Sequence, residues 1–134
     1  APAFDLPVGR LTRTPHGEYP EYHPSADDLS LVTPDALAKS FRCYRKVIEV
    51  LEQNDTYVNT NPKGEPQLGR RGLYQALGGT EMLDREQAML WTLNLCDGTN
   101  SLLDIAERSG LPFAAIEHVS RLLREHDLLT KEMS

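Results

Sequence analysis

The chain has 134 residues, with 14 basic and 20 acidic side chains, a net charge of −6, 40% hydrophobic and 25% charged residues. Such a composition fits one ordinary globular domain or two small ones and argues against a disordered chain. The acidic balance removes the usual electrostatic ground for binding nucleic acid or an anionic membrane. No run of the sequence reads as a membrane span or a signal peptide.

The charge is uneven. Residues 1–55 carry six basic and nine acidic side chains, 56–79 three and one, and 80–134 five and ten. The only cysteines, Cys43 and Cys96, both fall within apolar helical patterns. They are expected as packed thiols rather than a disulfide, which fits a reducing, cytoplasmic setting. The sequence begins Ala1-Pro2 rather than with Met, so further sequence, with any targeting signal, is expected upstream.

Ala3 to Leu11 reads as a short apolar strand broken by Pro7 and Gly9; Pro7 has no amide to give to a neighbouring strand. Thr14-Pro15-His16-Gly17 is a turn signal, and Glu18 to Tyr22 continues as a proline-stiffened loop. Tyr22-His23-Pro24-Ser25-Ala26-Asp27-Asp28-Leu29 follows, placing an aromatic, a histidine, a rigid turn and two carboxylates just before a helix start. A neutral imidazole on such a loop suits zinc. Asp27, or Tyr22 beside the histidine, could support it from behind or brace the turn. The residues alone favour a surface histidine and a solvated acidic pair, because no second ligand cluster accompanies them. His16 has no carboxylate at a telling spacing.

This loop and the amphipathic helix after it resemble the last metal-ligand loop of the di-zinc aminopeptidases. The wider stretch Leu6-Pro7-Val8-Gly9-Arg10-Leu11, then Arg13 to Glu21, is similar to a bacterial branch of them that ends in a winged helix-turn-helix domain. The resemblance implies a mixed α/β, mainly helical fold. Residues 1–55 would be the C-terminal strand, ligand loop and final helix of the aminopeptidase-like domain. Residues 56–79 would be a connector, and 80–134 a winged-helix-like three-helix module.

The resemblance further implies two zinc ions in the full-length protein, with His23 binding one of them. The partners would be an upstream peptidase domain of the same chain and a peptide or amide substrate, with homo-oligomerisation left open. The other ligands and the general base would lie upstream, so the 134-residue chain by itself is expected to be inactive. The commoner pattern of the family has Thr-Pro after the histidine and Thr after the aspartate. Here Pro24-Ser25 and Asp28 stand in those places, which alters the hydrogen bonding expected around the ligand.

Thr33 before Pro34 is an N-cap followed by proline at the first helical position, and Asp35 suits the positive end of the helix dipole. Leu37, Phe41, Tyr44, Ile48 and Leu51 repeat at four-three spacing, and Ala36, Cys43, Val47 and Val50 make a second stripe. A helix so apolar is expected to be covered on more than one side. Asn54-Asp55 ends it.

Within the connector, Thr56-Tyr57-Val58 reads as a brief strand and Asn59 to Pro66 as a loop. Pro66-Gln67-Leu68-Gly69-Arg70-Arg71-Gly72-Leu73-Tyr74 sets two arginines among glycines. They could hold an anion through the guanidinium fork, or face water from a turn that packs by Leu68, Leu73 and Tyr74.

From residue 80 the pattern is helix-turn-helix. Asp84 with Gln87 reads as a capping box, Leu83 with Ala88 as a hydrophobic staple and Gly98 as the helix stop. Ser101 with Asp104 caps a second helix, and Ile105 to Leu111 forms the turn motif, Ala106 allowing close packing and Gly110 the tight turn. Pro112 starts the third helix, with Ile116, Val119, Leu122 and Leu123 inward. His126 to Leu129 leads to a short strand at the start of a rudimentary wing.

A third helix that reads DNA needs cations for phosphates. Its outward candidates are Phe113, Ala114, Glu117, His118 and Arg121, with one firm cation among them. A domain or protein contact is therefore favoured for this module. The alternative is a non-catalytic DNA-binding or regulatory helix-turn-helix, and a degenerate enzyme that binds glycans or peptides is a third option.

Overall fold

The computed structural model describes residues 11, 12, 14, 15, 17, 18, 32–64, 66–73 and 80–131. The chain divides into two compact units, Ala1–Tyr44 and Arg45–Ser134, with the division inside the first helix.

That helix, α1, spans Pro34–Gln53. It starts where the sequence places it. Thr33 Oγ1 accepts from the amide of Ala36 at 3.1 Å, satisfying an amide that has no partner within the helix, and its carbonyl accepts the first helical bond, from Leu37 at 3.0 Å. On its polar side Lys39 pairs with Asp35 at 2.7 Å and Arg45 with Glu49 at 3.0 Å, both one turn apart. In the first unit, the Tyr44 hydroxyl donates to the carbonyl of Leu11 at 2.9 Å. The covering expected for α1 is not provided by the described residues. None of its side chains is buried, and Phe41 and Leu51 are 69% and 68% exposed. Cys43 is likewise exposed rather than packed.

The second unit holds the core. Strand β1 (Thr56–Asn59) is followed by α2 (Thr80–Leu95), β2 (Asp97–Ser101), α3 (Leu102–Ser109), α4 (Phe113–Glu125) and β3 (Leu129–Lys131). The sheet order is β2-β1-β3, antiparallel throughout, with Tyr57 opposite Lys131, Asn59 opposite Leu129, and an irregularity between Thr56 and Val58 where β1 meets β2. The strand that precedes the three helices in sequence is thus central in the sheet, and the last strand lies beside it. Residues 56–73, expected as a connector, also put Tyr57, Leu68 and Leu73 into the core.

The three helices close over these residues through Ala88, Met89, Leu102, Ile105, Ala106, Ile116, Val119 and Leu123. The expected inward positions of α4 are buried, except Leu122, which is partly so. Full burial of a Leu or Ile side chain contributes about 1.5–3 kcal/mol, which makes this cluster the main source of stability. Thr92, buried among these apolar groups, satisfies its hydroxyl on the carbonyl of Ala88 at 2.7 Å. Around α3 the local signals are realised. Ser101 and Asp104 form a reciprocal capping box, and Gly110 takes a left-handed conformation (φ 70°) whose amide bonds the carbonyl of Ala106.

Two expectations for α2 differ. The helix begins at Thr80, so Asp84 lies inside it, and a residue whose own backbone is helical does not act as an N-cap. The helix ends at Leu95 and Gly98 belongs to β2, where its φ of 87° lets the strand leave the turn. Asp97 sets that turn, its Oδ1 accepting from the Thr99 amide and hydroxyl at 2.9 and 2.7 Å.

Candidate functional site

His23, Asp27 and Tyr22, the proposed ligand and its supports, lie outside the described residues, as does His16. Among the described residues no group of three or more His, Cys, Asp or Glu side chains is arranged to hold a metal ion.

Of the two arginines, Arg71 is bonded within the fold. Arg71 donates from Nε to the carbonyl of Pro66 at 3.1 Å and from Nη1 to the carbonyl of His126 at 3.0 Å. It clasps the loop after β1 to the C-terminal end of α4, where its charge also suits the negative end of the helix. Arg70 is exposed.

On the outward face of α4, Ala114, His118 and Arg121 are exposed and Glu117 partly so, whereas Phe113, expected outward, packs against the hydrophobic core. Arg121 Nη2 lies 3.0 Å from His118 Nδ1. The neighbouring cations are engaged within the fold. Arg124 stands over the ring of Tyr57, 5.2 Å from its centroid, and donates to its hydroxyl at 3.2 Å. That hydroxyl donates to Asp55 Oδ2 at 3.3 Å, and Asp55 Oδ1 pairs with Lys131 at 2.8 Å. Burial raises the Tyr57 hydroxyl above its ordinary pKa, Arg124 opposes that shift, and Asp55 adds to it. Arg108 is bonded to Asn100 at 3.0 Å. The set Asp55, Tyr57, Arg124 and Lys131 joins residues up to 76 positions apart in the sequence, so no local spacing could have announced it. A shallow apolar hollow lies on α2, lined by Leu90, Trp91 and Asn94.

Three antiparallel strands closing on a helix-turn-helix give residues 55–131 their character, and the same residues match a family model described as winged helix-turn-helix. The chain belongs to the winged helix-turn-helix family. In this winged helix the sheet is completed by β1 from the N-terminal side. Residues 1–54 match a second model, a domain of unknown function, DUF4910. The whole chain is similar to a Clostridium acetobutylicum protein provisionally named a polysaccharide biosynthesis protein with an aminopeptidase-like domain. They are 47% identical over 130 residues, covering 96% of this chain and 30% of that protein. It is also similar to the crystal structure of a provisionally assigned peptidase from Clostridium acetobutylicum, with a TM-score of 0.68 and 44% identity, over 81% of this chain and 23% of the other. The chain thus spans under a third of the length of the relatives it matches. Among the described residues no helix is long and apolar enough to cross a membrane.

Proposed function

We propose that this chain is the C-terminal region of a zinc-dependent aminopeptidase-like hydrolase, contributing His23 as one metal ligand and a winged helix that makes domain or protein contacts. The observation that carries the reading is the extent of the likeness. The 47% identity runs through 130 residues, across the stretch before the winged helix and the winged helix itself. The relative bears an aminopeptidase-like domain in its name, and its length leaves ample room for the remaining ligands and the general base. The exposed apolar stripes of α1 support the same view, because contiguous apolar surface of this kind marks a contact site and the body of a peptidase-like domain would cover it. Zinc, when bound, supplies Lewis-acid polarisation of a carbonyl and a water of lowered pKa. The substrate would be an N-terminal peptide or amide bond.

The arrangement of its cations supports a contact role for the winged helix. Of the five basic side chains after residue 80, Arg108, Arg124 and Lys131 are held by Asn100, Tyr57 and Asp55. Arg85 is partly buried on α2, and Arg121 stands exposed beside His118 on α4, in a module with twice as many acidic as basic residues. A protein neutralising several phosphates needs more than this.

The test is hydrolysis of chromogenic aminoacyl anilides by the full-length protein. Activity lost to a chelator and restored by zinc supports the proposal, while robust zinc-dependent hydrolysis by the 134-residue chain alone would overturn it. The fold family favours one alternative, a DNA-binding regulatory module. Duplex DNA binding by the 134-residue chain that falls steeply with salt and weakens with Arg121→Ala would favour that alternative.

A further inference from the structure

The junction between α1 and the winged helix is two residues long, and each of them is bonded into the module. The first amides of a helix have no acceptor within it. In α3 three of these amides are satisfied from outside, and two of the acceptors come from the junction. The carbonyl of Asp55 accepts from Leu102 at 3.0 Å, and Asn54 Oδ1 accepts from Leu103 at 2.9 Å. The third, the amide of Asp104, bonds Ser101 Oγ at 3.3 Å. At the same time the amide of Asn54 continues the ladder of α1 by donating to the carbonyl of Val50 at 2.9 Å. Both carboxylate oxygens of Asp55 are engaged, one with Lys131 on β3 and one with Tyr57 on β1. Directly afterwards the chain enters the centre of the sheet as β1.

We infer that Asn54 and Asp55 are a rigid joint that makes the Arg45–Gln53 part of α1 and the winged helix a single body. A two-residue link with free side chains would swivel. Here any swivel strips amides from the first turn of α3 and pulls β1 from between β2 and β3, which amounts to partial unfolding of the module. The module is accordingly carried in a fixed attitude at the end of the Arg45–Gln53 segment, not on a tether, and whatever seats the apolar face of that segment also aims the winged helix. Such a joint is independent of whether the full-length protein is a hydrolase.

Spin labels at Glu52→Cys and Glu107→Cys, both exposed positions, test it in the 134-residue chain with Cys43→Ser, Cys96 being buried. A single narrow distance distribution is expected, broadened by Asn54→Gly. A broad distribution in the chain with its native joint would overturn the inference. In Asn54→Ala the amide of Leu103 should exchange roughly two- to tenfold faster, the loss of one hydrogen bond, while Leu123 in the interior of α4 keeps its rate. An unchanged Leu103 rate would remove Asn54 from the joint and contradict the account.

Discussion

Arg124 covers the ring of Tyr57 and donates to its hydroxyl, so a residue of the last helix holds one from the central strand, 67 positions earlier. Tyr57 is only 4% exposed and takes part in the core, whereas Arg124 is an exposed residue. Removing the cation should therefore cost far less than removing the ring. Arg124→Ala is expected to lower the unfolding free energy by about 1 kcal/mol, the worth of an exposed cation–π contact. Tyr57→Ala should lower it by about 3–5 kcal/mol through the cavity it leaves. Chemical denaturation measures both, and equal effects would show that the ring contributes no packing.

Acid stability should depend on two turn carboxylates. Hydrogen bonds from the Ser101 side chain, then its backbone, hold Asp104 below its ordinary pKa, and those from the Thr99 side chain and backbone do the same for Asp97. A folded-state pKa that is depressed gives stability that is complete above the unfolded value, about pH 4. It is lost as pH falls through the lower folded value. Denaturation midpoints should drop with pH below about 4. Asp97→Asn and Asp104→Asn should each flatten that slope, and an unchanged slope would exclude the carboxylate concerned.

The two thiols should differ sharply in reactivity. Cys43 is exposed. Cys96 is buried, and burial, with some help from the Asp97 charge, pushes its thiol up to about 12. Because the thiolate is the reactive form, a disulfide reagent near neutral pH should label one cysteine per native chain and the second only after denaturation. Cys43→Ser should abolish the fast reaction.

The position of β1 fixes where the winged helix can be cut. A fragment of residues 80–134 lacks the central strand and the core side chains Tyr57, Leu68 and Leu73. It is expected to melt without cooperativity, whereas residues 54–134 should retain a cooperative transition by circular dichroism. A cooperative melt of the shorter fragment would show β1 to be dispensable.

These contrasts follow how information is spread along the chain. Signals that act within a few residues were legible: Thr33-Pro34 at the start of α1, Ser101 with Asp104, and Gly110 after α3. Each depends only on neighbouring backbone. The Asp84 cap and the Gly98 stop failed because α2 continues N-terminally to Thr80 and because Asp97 turns the chain into a strand. Thr56-Tyr57-Val58 was legible as a brief strand, but its central place in the sheet was not. Four residues have no usable period, and β1 takes its place only by pairing with strands some 40 and 70 residues later. The stripes of α1 were plain in the sequence, yet what covers them is not among the described residues. The ligand reading of His23 rests on resemblance alone, since one histidine has no spacing to read.

Zinc analysis of the full-length protein, wild type against His23→Ala, tests the central claim most directly. The proposal predicts that the wild type retains zinc through dialysis and that His23→Ala, still folded by circular dichroism, retains measurably less, because the histidine is a ligand and not a loop residue. Equal zinc content in the two proteins would contradict it.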